Sequence, residues 1–418
     1  TNRDIMPIVA TGQRKWSGNN IKKKTNAGAG LLQKSSIILN EIDLAPILRN
    51  QPIQKFPAFR QNELVLGDLL GKGTVGTVNE ITRIRPDGAS VNTSTADDIH
   101  IDKDKQHKNE IVSRTIRNGR SRYAIKSLRS DLKKSPTTST AVRARLDLAI
   151  EVKYLQAINH PCIIRLRGLP KNNNVMDSNY FFLMDRLEGT LEQRLKVWKA
   201  ESKECRSRGF MGMPKKDNAA EQELLQERLT VAYDVATACQ YMHSYQLLHR
   251  DLKPENIGFD IRGDVKVFDL GLAKSLLPQY HASGGLYKLT ACTGSLPYMA
   301  PEVAKKEPYN EKCDVFSFGI LLWEIMSLKY AFSQYQTRKE LYDKVVVGGI
   351  RPPLSNSKSW PSGVTGIIPK CWSSSLKSRP TMDDVCSTMR QNMKGVIENR
   401  TEWLAGRSNR SMRTHKAA

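Results

Sequence analysis

Hydrophobic and polar positions divide the chain into two differently patterned stretches. From about residue 62, "NELVLGDLLGKGTVGTVNEI" sets apolar runs on both sides of a glycine cluster and predicts two short strands joined by a glycine-rich turn. A polar, charge-mixed stretch from about 82 to 119 follows, and its sparse apolar content reads as a surface insertion. Order resumes at "SRYAIKSL". Within 141–158, Leu148, Val152 and Leu155 recur at spacings of four and three, which predicts a helix. After a break at "NHP", "CIIRLRG" and "YFFLMDRL" predict two more strands, and a second polar stretch at about 199–221 reads as another insertion. Behind it Leu225, Leu229, Ala232, Ala236, Cys239 and Met242 form a helical stripe. Strands with one helix come first and mostly helices afterwards, so the pattern predicts an α+β architecture of two lobes packed against each other.

Composition narrows the setting more than the chemistry. The 418 residues suffice for a substantial core, and no run of eighteen apolar residues exists to span a membrane. Seven cysteines, an odd number and widely spaced, form no CxxC pair and no His/Cys group of metal-site spacing, so no metal cluster is expected and the compartment is reducing: cytoplasmic or nuclear. The chain begins with Thr1, which leaves room for a targeting segment ahead of it. The net charge of +23 raises the question of a polyanionic partner. No RNA- or DNA-binding motif and no aromatic interleaving accompany the basic residues, so nucleic acid is not the expected ligand. Much of the excess sits in residues 1–60, including "IKKKTNAGAG", and in 396–418. Both read as basic tails; the first is either solvated and disordered or a localisation or docking signal.

Three polar groupings carry candidate chemistry. In "GKGTVGTV", Gly71, Gly73 and Gly76 with Lys72 sit between strand patterns, where glycine lets backbone N–H groups approach phosphates; a plain glycine hairpin reads the same way. No helix follows, which argues against a dinucleotide site. Lys126 ends the apolar run "YAIK" and is either a point charge for phosphate oxygens or a solvated strand end. Between it and the end of the following helix the only glutamate is Glu151. In "LLHRDLKPENIGFD", Asp251 and Asn256 lie in a segment held at both ends by apolar residues, and Asp269 follows in "VKVFDLGLAK". Asn256 and Asp269 supply hard oxygens of the kind Mg²⁺ prefers, which leaves Asp251 to orient a nucleophilic hydroxyl.

Taken in order, the glycine loop, Lys126, Glu151, "HRDLKPEN", "DLG", "APE", Asp314 in "DVFSFGILLWEI" and Arg379 in "SRP" resemble the signature set of the eukaryotic protein kinases. The resemblance spans about 61–395 and implies a bilobal protein-kinase-like fold, with a small β-rich N-lobe over about 61–187 and a larger helical C-lobe over about 188–395. It implies that the glycine loop covers the phosphates of ATP and that Lys126, oriented by Glu151, holds them. Asp251 is then the catalytic base, Asn256 and Asp269 hold Mg²⁺, and Lys253 stabilises the transferring phosphoryl group. Val78 and Ala124 become the roof over adenine, Met184 the residue guarding the back of its pocket, and Asp185, Arg186 and Leu187 the hinge whose backbone meets it. Glu302 and Arg379 resemble the family's buried structural ion pair.

"DLKPEN" with Ser295 matches the serine/threonine pattern, whereas "RPPLSNSKSWPSGVTGIIPKCWSSSLKSRPTM" resembles the tail of tyrosine kinases and their tyrosine-kinase-like serine/threonine relatives. The combination points to a tyrosine-kinase-like serine/threonine kinase acting on protein substrates, with a pseudokinase scaffold as the alternative. Arg250, directly before Asp251, implies a phosphate on the activation segment, with Thr290 and Thr293 as candidates. Two positions depart from the family. "DLG" replaces the commoner "DFG", and Gly258 stands where an apolar floor under adenine is usual, so either the space is empty or Phe259 or another side chain fills it.

Overall fold

A computed structural model of the protein describes residues 8–9, 44–50, 54–73, 75–85, 103–175, 177–210, 216–354 and 360–393. The basic tail over 396–418, most of the tail over 1–60 and the centres of both polar stretches lie outside the described residues. The chain divides into two compact units, one running to Leu187 and the other from Glu188 onward; Leu44–Leu48 and His160–Ile163 belong to the second.

The first unit is built on a seven-stranded sheet. Its strands are Ile8–Val9 (β1), Ala58–Phe59 (β2), Leu64–Lys72 (β3), Gly76–Ile84 (β4), Tyr123–Leu128, Leu166–Pro170 and Phe181–Asp185. A small hairpin of Ile116–Arg117 (β5) and Arg120–Ser121 (β6) precedes the fifth of these, so the last three are β7, β8 and β9. The order across the sheet is β1-β3-β4-β7-β9-β8-β2, antiparallel except for β1 on β3 and β2 on β8. Pairing of Val78 with Lys126 and of Lys126 with Phe182, and likewise of Glu80 with Ala124 and of Ala124 with Met184, puts these residues on one face. Alternation sends Tyr123, Ile125, Phe181 and Leu183 to the other, where they form a core with Phe59, Leu64, Ile81, Ile84 and Ile111. The predicted helix forms at Ser139–Ala157, capped by Thr138, whose hydroxyl accepts from Ala141 N (3.2 Å).

Three expectations about loops and tails are corrected. The stretch 82–119 is not simply a surface insertion: β4 runs to Ile84, and a helix at Lys103–Ser113 delivers Ile111 into the core. Lys108 of that helix pairs with buried Glu63 (2.7 Å) and lies 5.0 Å from the Phe59 ring. One buried apolar residue in eleven leaves no periodicity to detect, so the sequence pattern missed it. The stretch 199–221 extends two long helices, Leu191–Phe210 and Lys216–Ser244. Ordered structure also starts before residue 61, since Leu48 is buried in a one-turn helix at Pro46–Arg49 and Phe59 in β2.

The second unit is mostly helical around Lys312–Ser327, whose residues from Cys313 to Met326 are all buried. The helices Lys216–Ser244 and Ser362–Cys371 pack against it, and Met382–Asn392 packs against those two. Two small sheets carry the polar loops: Leu187–Thr190 (β10), Ile257–Asp260 (β12) and Val265–Val267 (β13) form one, and Leu247–Leu248 (β11) pairs with Lys274–Ser275 (β14) in the other. The α+β division into a β-rich first unit and a helical second unit therefore holds.

Candidate active site

In the first unit the glycine turn is closed by a backbone bond from Gly73 N to Gly76 O (2.9 Å). Gly76 is required by its neighbour, since a Cβ there would lie 2.7 Å from Ser127 O on β7. Gly71 pairs with Val78 and exposed Lys72 with Thr77, which carries the turn beyond the sheet. Lys126 Nζ donates to Glu151 Oε2 (2.5 Å), and Glu151 is only 2% exposed on the helix Ser139–Ala157. This fixes the lysine head on the same face as Val78, Ala124 and Met184. Of the expected hinge, two backbone donors are already engaged: Asp185 N by Arg165 O (3.2 Å) and Arg186 N by Arg122 O (2.8 Å). The Asp185 carboxylate takes a bidentate pair from Arg167 (2.7 and 3.2 Å), and Leu187 begins β10.

In the second unit Asp251 sits at the centre of a short network. Its Oδ2 accepts from Lys253 Nζ (2.9 Å) and from Asn256 Nδ2 (3.0 Å), which also donates to the Asp251 carbonyl (2.8 Å). Its Oδ1 is buried and has no hydrogen-bond partner among the described residues. Lys253 Nζ donates onward to Ser295 Oγ (2.8 Å), so the lysine joins the carboxylate to the segment after Thr293. Phe268 N donates to Asn256 O (3.0 Å), so Asp269, one residue further, leaves β13 beside Asn256.

Two non-glycine residues here hold left-handed backbone, Arg250 (φ 65°) and Asp269 (φ 64°). The first is braced by Asp314, which is 1% exposed and accepts from His249 N and Arg250 N (2.8 Å each) and bonds to His243 Nε2 (3.0 Å). Burial works against the Asp314 charge, but His243 and His249, the latter also through its backbone N–H, outweigh it and hold its pKa below the ordinary aspartate value. Gly294 (φ 102°) crosses the loop so closely that a Cβ would lie 2.3 Å from Arg250 O.

Gly258 is buried on β12 opposite Lys266. Phe259 cannot fill the space beside it: alternation turns its ring to the other face, where the Arg194 guanidinium lies 5.0 Å away. Of the regulatory candidates Thr290 is exposed and Thr293 half-buried, with Thr293 Oγ1 donating to Thr290 O (3.1 Å). Asp314 stood in the sequence without an assigned role, and its His243 partner, Arg167 and Tyr309 went unnoticed. Only a polar residue inside an apolar helix, as at Asp314, was a usable signal.

The protein kinase domain family matches residues 107–389. Relatives include the serine/threonine-protein kinase STY17 of Arabidopsis thaliana, 34% identical over 172 residues, which are 41% of this chain and 28% of that protein. Human mitogen-activated protein kinase kinase kinase 7 is 37% identical over 158 residues, 37% of this chain and 24% of its own length. A probable LIM domain-containing serine/threonine-protein kinase of Dictyostelium discoideum is 32% identical over 183 residues, 42% of this chain and 17% of its own. The matched stretch thus spans little more than a quarter of these relatives at most. Since the family match covers more than half of the chain and runs through the Lys126–Glu151 pair and the Asp251 network, the chain belongs to the protein kinase domain family.

Proposed function

We propose that the protein is a serine/threonine protein kinase that transfers the γ-phosphate of ATP to hydroxyls of protein substrates. The observation that carries this reading is the Asp251 carboxylate: Lys253 and Asn256 hold one oxygen, and the other is buried and unpartnered among the described residues. An unsatisfied buried acceptor costs about 1–3 kcal/mol, and a substrate hydroxyl donating to Oδ1 removes that cost while its proton passes to the carboxylate. Lys253, held in place by Ser295, would stabilise the charge that builds on the transferring group.

Asn256 donates its amide hydrogens to Asp251, which leaves its Oδ1 as an acceptor; with the Asp269 carboxylate it forms a hard-oxygen pair suited to Mg²⁺. When bound, that ion supplies neutralisation of the phosphate oxygens. Lys126, oriented by Glu151, would meet the non-transferred phosphates, and Val78, Ala124, Met184 and the Leu187 backbone would receive adenine. Presence of the lysine, base and metal residues together weighs against a scaffold. The Lys253–Ser295 contact and the likeness to the Arabidopsis and Dictyostelium serine/threonine-protein kinases support serine and threonine as acceptors.

The test is transfer of the γ-phosphate to myelin basic protein by wild type and Asp251→Asn, with phosphoserine, phosphothreonine and phosphotyrosine separated. Loss of the base should lower kcat by about 10²–10⁴-fold. Equal transfer by the two proteins, or product confined to phosphotyrosine, would overturn the reading.

A further inference from the structure

The cationic residue beside the proposed base is already engaged. Arg250 Nε donates to Leu272 O (2.7 Å) and Arg250 Nη1 to the Tyr309 hydroxyl (3.2 Å). That hydroxyl donates in turn to Thr290 O (2.8 Å), so a single buried phenol joins the catalytic loop to the segment carrying Thr290 and Thr293. The link is reinforced by a two-way backbone bridge, Tyr287 N to Tyr309 O (2.9 Å) and Tyr309 N to Tyr287 O (3.0 Å). Tyr280 OH accepts from Lys274 Nζ (3.2 Å), and its ring lies 4.5 Å from that ammonium.

The consequence reaches the reacting groups in a few bonds. Thr290 O also accepts from Thr293, Gly294 then lies against Arg250 O, and Ser295 takes the Lys253 ammonium that holds Asp251. Burial pushes the Tyr309 hydroxyl up to about 12, so at neutral pH it remains able to accept from Arg250 and donate to Thr290 together.

We propose that Tyr309 is a positioning residue for the transfer reaction, its hydroxyl holding segment 287–295 on the catalytic loop in the place where a phosphorylated threonine was expected to act. The proposal rests on the kinase reading for its effect on rate, but the latch itself is a property of the segment. Phosphorylation of Thr290 or Thr293 is then not needed to order the segment in the wild type.

The test compares full-chain wild type with Tyr309→Phe, which keeps the buried ring and the backbone bridge and removes only the hydroxyl. Each is treated with phosphatase or left phosphorylated, and kcat and the KM for ATP are measured with myelin basic protein. Phosphatase should leave wild-type kcat within about twofold, whereas treated Tyr309→Phe should lose about tenfold in kcat at unchanged KM for ATP, as for a lost positioning contact. Phosphorylation should then restore the variant and not alter the wild type.

Tryptic cleavage after exposed Lys288 reads the latch without activity, and should be about fivefold faster or more in the treated variant. Loss of wild-type activity on phosphatase treatment, or a variant equal to wild type in kcat and cleavage, overturns the proposal. Should wild type transfer no more phosphate than Asp251→Asn, the kinase reading fails instead. The cleavage rates alone then decide the latch: faster cleavage in the variant upholds it, and equal cleavage rejects it.

Discussion

Glu324 makes folding stability depend on pH in a way that one substitution isolates. It is 1% exposed on the central helix Lys312–Ser327; its Oε1 accepts from Ala331 N (2.7 Å) and its Oε2 from Tyr298 OH (2.9 Å). Burial raises its pKa from 4.5 to about 8 against the opposing effect of those two donors. A carboxyl with a folded pKa above its unfolded one binds more protons when folded, so stability is highest below about 4.5 and falls as pH rises towards about 8. At 1.36 kcal/mol per pKa unit the full loss is on the order of 5 kcal/mol. Glu324→Gln preserves shape and the bond from Ala331, and Tyr298 can rotate its hydroxyl to accept from the amide. Urea unfolding of both proteins at several pH values between 5 and 8 is the assay, because contributions of all other groups cancel in the difference. The variant should match wild type near pH 5 and gain steadily above it, by several kcal/mol at pH 8. A difference that stays constant with pH would refute the argument.

Two further outcomes follow from particular contacts. Arg379 is 1% exposed and gives Glu302 a bidentate pair (2.7 and 2.8 Å), with further bonds to Ser373 O and Lys312 O, so Arg379→Met strands a buried carboxylate and should cost about 3–5 kcal/mol in urea unfolding. Adding Glu302→Gln should recover part of it, and a double variant as unstable as the single would show that the pair is not the cause. Gly258→Leu adds an apolar side chain where Phe259 cannot reach and should lower the KM for ATP about tenfold, out of roughly 1.5–3 kcal/mol available from full burial; an unchanged or raised KM would mean that the space lies elsewhere than under adenine.

How much could be seen beforehand depended on sequence distance. Asp251, Lys253 and Asn256 fall within one short loop, so their grouping was visible as a string, and Glu151 was the only glutamate available to Lys126. The strands β4, β7 and β9 were visible as apolar runs, whereas Val78, Ala124 and Met184 were grouped only through the resemblance to the kinases, and the strand register puts them on one face. Partners far along the chain were not: Asp314 lies 64 residues from the Arg250 amide it binds and Tyr309 lies 59 residues from the Arg250 guanidinium, separations that no local pattern encodes. The helix Lys103–Ser113 failed for another reason. Tertiary packing of Ile111 and the Lys108–Glu63 pair hold a segment that its own polar residues would leave in solvent.

These long-range partners explain why the proposed base can sit beside backbone that the local sequence disfavours. Left-handed conformations at Arg250 and Asp269 cost of order 1–3 kcal/mol each and persist only where surroundings impose them. At Arg250 the surroundings are the Asp314 carboxylate, whose two charge-assisted bonds to the loop, each contributing about 1.5–3 kcal/mol, offset that cost. Asp314 lies in the first turn of the buried helix Lys312–Ser327, and Arg379 binds the carbonyl of Lys312 at that helix's start while gripping Glu302. Glu324 anchors the other end of the same helix to Tyr298. The loop bearing Asp251 is therefore mounted on a helix buried from Cys313 to Met326, and its geometry is set by residues that take no part in the chemistry. Local strain at Arg250 and a rigid core helix are two ends of one arrangement: the first gives Asp251 its direction, and the second keeps that direction from relaxing.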